Sequence, residues 1–188
     1  MSTSVSIRHG KFINKLKLEK LLHAGNEYTF VLKDEFVYRD SYGHNWKAHI
    51  DDVIDGSSLP PIAWEIFGSP FESQFLNAFV IFETACNRRE QIWEITHEVL
   101  YEASLTCGLD DVSAKILFAC AYYFGQHWSS KFEADKIYFN ILKQSMFTIK
   151  DFFELKYLIE TKNLPLQDIM DYEPEHIHDM PLYLQKLN

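Results

Sequence analysis

Two acidic residues, Asp55 and Glu83, lie where they could form an acid–base pair. Asp55 opens the turn "DGSSLPP", and Glu83 lies in the apolar run "FVIFETAC", where a charge is costly to bury unless it is paired. If the two carboxyl groups shared one site, their pKa values would separate, which suits an acid and a base or a divalent metal. The other interpretation pairs Glu83 with Arg88 or Arg89 near the end of a helix.

Hydroxyl groups follow Asp55 in the same turn. Ser57 and Ser58 could point into a cleft beside the carboxylate and add a nucleophile or a hydrogen-bond donor. The same residue types are typical of turns and of helix N-caps, so a purely structural capping turn is the alternative.

A histidine, His97, could serve as a general base. It has Trp93 one helical turn before it and Tyr101 one turn after it, so it lies on an aromatic strip. A base would need a carboxylate to orient it, and without one His97 is a structural histidine. The candidate catalytic residues are Asp55, Ser58, Glu83 and His97.

No pattern in the sequence predicts a cofactor. The three cysteines Cys86, Cys107 and Cys120 form no CxxC motif, and Cys86 is interpreted as a small core residue. The ligand-rich segment "EPEHIHDM" matches no closed zinc spacing, so we interpret it as a solvated tail. We therefore expect no cofactor, while the carboxyl pair leaves a divalent metal open.

Charge is distributed unevenly along the 188 residues. The net charge is −9, but the first 24 residues carry five cations and one acid, which leaves −13 on the remainder. Such a body repels a phosphate backbone, so we expect no nucleic-acid partner and instead another protein with a basic surface. The odd cysteine count, the absence of an apolar leader and the absence of a run long enough to span a bilayer predict a cytoplasmic protein without membrane contact. The sequence does not indicate an oligomeric state.

The elements that must position these residues change character along the chain. Alternating apolar residues between 28 and 50 predict two or three antiparallel strands, with "DSYG" as a turn. From Pro60 onward, helical periodicity predicts a short helix ending at Gly68, a helix from Ser73 to about residue 85, and an antiparallel pair over 90–106 and from Asp110. In the first member of that pair the apolar stripe is Ile92, Ile95, Thr96, Val99 and Ala103.

The predicted fold class is α+β, with a small N-terminal antiparallel sheet packed on a mainly helical body. Two more helices are predicted over "FEADKIYFNILKQ" and "TIKDFFELKYLIETK". The predicted organisation is a basic lead-in over 1–24, one domain over 25–162 and a C-terminal extension over 163–188. The hydrophobic content of 47% is enough for one core, and one domain is typical of this length.

The middle of the chain resembles the phage- and prophage-associated domain of unknown function 1353. The resemblance covers Phe30 to Trp128 and rests on the hairpin "FVLKDEFVYRDSYG", the D-G-S-S-x-P turn over 55–60, Trp64 and the bend over 68–70. It continues through "HEVLYEASLTCGLDDVSAKILFACAYYFGQHW". The family implies a phage or mobile-element origin but brings no settled activity.

One departure from the family pattern affects the expected function. The family has a His-Asp pair where this chain has Phe82 and Glu83. A chain that has lost this histidine is expected to be inactive as an enzyme or adapted to another role. We therefore favour a small acidic accessory or immunity-type factor that binds a protein, and the alternative is a hydrolase-like enzyme that uses the carboxylate, hydroxyl and histidine groups.

Overall fold

Six short strands at the start of the chain form two antiparallel sheets. The computed structural model describes residues 9–21, 29–128 and 146–174. One sheet has the strand order β1-β4-β5 and the other has the order β2-β3-β6. The strands are Lys11–Phe12 (β1), Leu18–Lys20 (β2), Phe30–Leu32 (β3), Phe36–Arg39 (β4), Asn45–Ala48 (β5) and Val53–Ile54 (β6). The strands predicted between 28 and 50 are confirmed, and part of the predicted lead-in contributes β1 and β2.

The β4–β5 hairpin has the register that its alternating pattern predicts. Phe36 lies opposite Ala48 and Tyr38 lies opposite Trp46, so the buried side chains share one face. Asp40 closes the turn, because one carboxylate oxygen accepts backbone N–H groups at 3.0 and 2.8 Å and the other accepts the Trp46 indole N–H at 2.9 Å.

Helices follow the strands along the described part of the chain. Their bounds are Pro61–Phe67 (α1), Leu76–Arg88 (α2), Trp93–Thr106 (α3), Asp111–Phe124 (α4), Ile149–Lys162 (α5) and Leu166–Met170 (α6), with a 3-10 turn over Pro70–Glu72. Proline at the first position of α1 costs no hydrogen bond, and Gly68 follows its last residue as predicted. Asp110 caps α4, because its carboxylate accepts the Ser113 N–H at 2.9 Å.

Two details of the helix prediction are wrong. Ser73 does not cap α2, since its hydroxyl donates to the Pro70 carbonyl and the helix begins at Leu76. The stripe predicted to be buried on α3 is also wrong in part, because Ile92 and Ile95 are exposed and Trp93 and His97 face the interior instead. The other three members of the stripe are buried as predicted: Thr96, Val99 and Ala103.

The core lies where α2 packs against α3 and the β4–β5 hairpin, and where α3 packs against α4. Phe79, Phe82, Leu100, Leu117 and Phe118 are all buried there. Two small sheets on a helical body confirm the α+β class. The helix predicted over 132–144 and nearly all of the "EPEHIHDM" segment lie outside the described residues. Among the helices of the described part, none has the length and apolar character needed to cross a membrane.

Candidate functional site

The Glu83 carboxylate meets the turn that follows β6. Its Oε1 accepts the Asp55 N–H at 2.9 Å and the Gly56 N–H at 3.1 Å, and its Oε2 also accepts the Gly56 N–H at 3.1 Å. Glu83 is 0% exposed, because α2 carries it into the core beneath the turn. Arg88 pairs instead with Asp52 at 2.7 Å, so the alternative pairing of Glu83 with this arginine is wrong.

The two carboxyl groups at this turn have pKa values that are shifted in opposite directions. Burial raises the pKa of Glu83 to about 8, and the nearby Asp55 carboxylate acts in the same direction. Burial alone would raise the pKa of Asp55 too, but hydrogen bonds from Ser57 and the neighbouring Glu83 carboxyl lower it below its usual value. The two pKa values shift in opposite directions, so Glu83 holds a proton more tightly than Asp55 does.

Gly56 is required by the shape of this turn. Its φ of +87° lies in the left-handed region, and a Cβ atom there would lie 2.5 Å from Cζ2 of Trp64. The tryptophan of α1 therefore packs directly on the turn backbone. This close approach explains why a glycine and a tryptophan eight positions later occur in one short motif.

Ser58 and Cys86 lie together below the turn. Ser58 is buried, and its hydroxyl has no hydrogen bond of regular geometry within the described residues. Cys86 is also buried, and burial raises the pKa of its thiol, with Glu83 adding to the effect and Ser58 opposing it. A thiol in this environment is protonated and unreactive, in agreement with a core role.

His97 lies in a different environment, a cluster of aromatic rings. Its ring centroid is 5.4 Å from that of Phe82, 5.3 Å from that of Trp93 and 5.7 Å from that of His127. Burial lowers the pKa of His97 well below its usual value, and His127 acts in the same direction, while the Gln126 backbone opposes it. Neither ring nitrogen has a regular hydrogen bond in the described part of the chain.

The structure therefore brings Asp55 and Glu83 together, and it places Ser58 in the same turn without a hydrogen bond from its hydroxyl to either carboxyl group among the described residues. The fourth candidate, His97, lies apart. No hydrogen bond or ring contact between described residues joins His97 to Asp55 or Glu83, so it has no carboxylate to orient it. The described residues also contain no group of three or more side chains that could hold a metal ion. None of the four candidate residues lines any of the four cavities described in the structure.

A second polar network is not predicted from the sequence. Glu102 on α3 accepts the Gly10 N–H, the Tyr38 hydroxyl and the Ser41 N–H, each at 2.8 Å, and the Ser41 hydroxyl at 2.7 Å. It fixes the N-terminal strand and the β4–β5 turn to the helix. The available signal was Glu98 and Glu102 at (i, i+4) spacing, which places two acids on one helix face.

Comparison with known proteins identifies the same central region. Residues 30–121 match the family described as "Protein of unknown function (DUF1353)". A protein of Sinorhizobium fredii (strain NBRC 101917 / NGR234) described as "Uncharacterized protein y4iH" is 38% identical over 98 residues, which is 52% of this chain and 41% of that protein. A second, "Uncharacterized protein y4jT" from the same strain, is 29% identical over 100 residues, or 53% of this chain and 30% of the relative. The chain thus spans less than half the length of either relative. No solved structure matches it.

Proposed function

We propose that this chain, whose residues 30–121 belong to the DUF1353 family of proteins of unknown function, binds another protein. The proposed binding surface is the outer face of α5. One observation carries this proposal. Ile149, Phe153 and Tyr157 repeat at four-residue spacing along that face and are 49%, 51% and 64% exposed. Large apolar side chains grouped on one exposed face mark protein-binding surfaces more often than scattered ones do.

The surroundings of Phe153 support the proposal. A groove of about 580 Å³ runs along α5 beside Phe153 and Tyr157, and another of about 410 Å³ lies between Phe153 and the two prolines that begin α1. Phe153 lines both grooves, so it forms a ridge between them. A ridge with a groove on each side suits two apolar side chains of a partner, one in each groove.

Charges beside the ridge are already paired within the helix. Lys150 forms an ion pair with Glu154, and Lys156 forms one with Glu160; in each pair the two residues are one helical turn apart. The helix face therefore attracts a partner segment by its apolar side chains. The charge of the rest of the chain, which is strongly acidic outside the first 24 residues, would speed encounter with a basic protein.

Within this proposal the chain is an accessory or immunity-type factor of phage or mobile-element origin. Its cytoplasmic location is part of the proposal, supported by the odd number of cysteines and by the free thiols of the three in the described structure.

The test compares matched variants of the full chain. The tagged protein is isolated from its native host as wild type, as the double variant Phe153→Ser/Tyr157→Ser, and as Ile50→Ser. Ile50 is 58% exposed but lines none of the four cavities, so it controls for loss of an exposed apolar side chain. Binding of each protein to the captured and purified partner is then measured by calorimetry.

We expect the double variant to bind the partner at least about 30-fold more weakly, the effect of losing 2 kcal/mol at a hot spot. Ile50→Ser should bind like wild type. Equal binding by all three proteins would contradict the proposal. A large loss of folding stability in the double variant would also contradict it, because the strip would then belong to the protein's own core.

A second candidate function is hydrolase-like catalysis, favoured by the divergent pKa values of Asp55 and Glu83. Under this alternative, Glu83→Gln would abolish the host phenotype of the chain while partner capture stayed intact. If the phenotype survives this substitution in a folded protein, the enzyme interpretation fails.

A further inference from the structure

A cavity of about 210 Å³ lies between the β4–β5 turn and α3, away from the turn at Asp55. Its walls are largely aromatic and apolar, with Trp46 from the hairpin, Tyr101 from α3, and Leu166 from α6 at one end. Tyr42 stands at its rim and is 93% exposed. These side chains form a pocket with room for one long side chain or a small molecule.

Three carboxyl groups also line this cavity: Asp40, Glu98 and Glu102. None of the three forms an ion pair with a lysine or arginine among the described residues. Asp40 and Glu102 accept hydrogen bonds from the hairpin turn and so are held in place. Glu98 is half-buried, and its carboxyl group lines the cavity without a side-chain hydrogen bond to another described residue.

We infer that this cavity binds a guanidinium or primary ammonium group. A cation of this kind is attracted to the faces of tryptophan and tyrosine rings and donates hydrogen bonds to carboxylates. The walls supply the rings, and Glu98 supplies a carboxylate that has no hydrogen-bond donor in the part of the chain that the structure describes. An anionic ligand would be repelled by the three acids, and a purely apolar ligand would leave Glu98 desolvated without a partner.

The cavity is preformed, because the hydrogen bonds of Glu102 hold the hairpin turn against α3 before any ligand arrives. The Trp46 ring is fixed in the same way by its hydrogen bond to Asp40. Little ordering is then needed on binding, which favours affinity for a small group. This site is independent of the α5 face, so either proposal can fail without the other.

The experiment is an NMR titration of the full-length chain, following the indole N–H resonance of Trp46. The probes are Nα-acetyl-arginine amide, a short peptide with blocked termini and a central arginine, and the same two compounds with citrulline. The citrulline side chain keeps the shape of arginine but is neutral, and the blocked α-amino groups leave no other cation on the probes. The proteins are wild type, Glu98→Gln, and Glu72→Gln as a control. Glu72 is an exposed acid that does not line the cavity.

We expect both arginine probes to shift the Trp46 resonance and to bind Glu98→Gln about 10-fold more weakly, as expected for loss of a hydrogen bond between charged groups. Glu72→Gln should bind like wild type, and the citrulline probes should not bind. Tighter binding of Nα-acetyl-arginine amide than of the peptide would identify a small-molecule cation as the ligand, whereas tighter binding of the peptide would identify a protein side chain.

Two results would overturn the inference. Equal affinity for arginine and citrulline would show that charge plays no part. Absence of a shift with every probe, in a protein whose spectrum shows that it is folded, would show that the cavity is not a cation site.

Discussion

Replacing Glu83 with glutamine should stabilise the protein at alkaline pH, although the residue is buried and hydrogen-bonded. A glutamine side chain can still accept the N–H groups of Asp55 and Gly56 through its carbonyl oxygen. Its amide nitrogen, in the place of Oε2, can donate to the Asp55 carboxylate but cannot accept the second bond from the Gly56 N–H. The substitution therefore imitates the protonated acid and removes its titration.

The direction of this pH effect on stability follows from the number of protons that the folded and unfolded states bind. An unfolded chain loses the Glu83 proton near the ordinary pKa of 4.5, whereas the folded chain keeps it up to about 8. Between these values the unfolded state binds fewer protons, so the free energy of unfolding falls as pH rises, by at most about 1.4 kcal/mol per pH unit. Over the whole window the loss is up to about 5 kcal/mol. The lowered pKa of Asp55 acts at more acidic pH and does not overlap this window.

The assay is urea unfolding followed by tryptophan fluorescence at pH values from 5 to 9. Wild type and Glu83→Gln should have similar stability at pH 5, and the variant should become progressively more stable above it. Taking the difference between the two proteins cancels the titration of all other groups. Glu72→Gln serves as the control, because it removes an exposed acid and should change stability by less than about 0.5 kcal/mol. Parallel curves for wild type and Glu83→Gln would refute a protonated Glu83 in the folded protein.

Two further substitutions test the packing around the candidate residues. His97→Leu should reduce the fall in the free energy of unfolding below about pH 6.5, because unfolding lets this buried, neutral histidine take up a proton. If urea unfolding gives the same pH dependence below about pH 6.5 for the variant and the wild type, this prediction is wrong. Gly56→Ala should destabilise the protein by about 1 to 3 kcal/mol more than Gly68→Ala in thermal unfolding, because both have positive φ but only the first new methyl group would collide with Trp64. Equal losses for the two alanine variants would exclude the collision.

Local signals predicted the helix boundaries better than the orientation of the helices. Asp110 precedes a helical run and accepts a hydrogen bond from its first turn, which depends only on neighbours in sequence. The orientation of α3 depends on distant partners. Stripes through Ile92 and Ile95 or through Trp93 and His97 both fit a helical period, and packing against α2 and α4 selects the second. Pairing of β1 with β4 likewise joins residues far apart in sequence.

The candidate site was predicted in part. Cost of burial indicated that Glu83 needed a partner, and the sequence left two choices open, the turn at Asp55 or an arginine near the helix end. Because α2 runs beneath the turn, backbone N–H groups became the partners, and Arg88 was drawn to Asp52. His97 could not be assigned from spacing alone, since the ring cluster around it includes Phe82, from another helix.

The geometry at the turn also determines what an enzyme interpretation would require. Both oxygens of Glu83 already accept backbone N–H groups, and the side chain is closed off from solvent. A substrate could reach this carboxyl group only if the turn moved away from α2. This movement would break the hydrogen bonds from the N–H groups of Asp55 and Gly56 to Glu83 and cost about 0.5 to 1.5 kcal/mol for each, since water would replace the acceptor. Phe82 adds an apolar ring to the His97 cluster and supplies no proton acceptor. Glu83 therefore affects the stability of the turn directly, and it could affect catalysis only through an opened state.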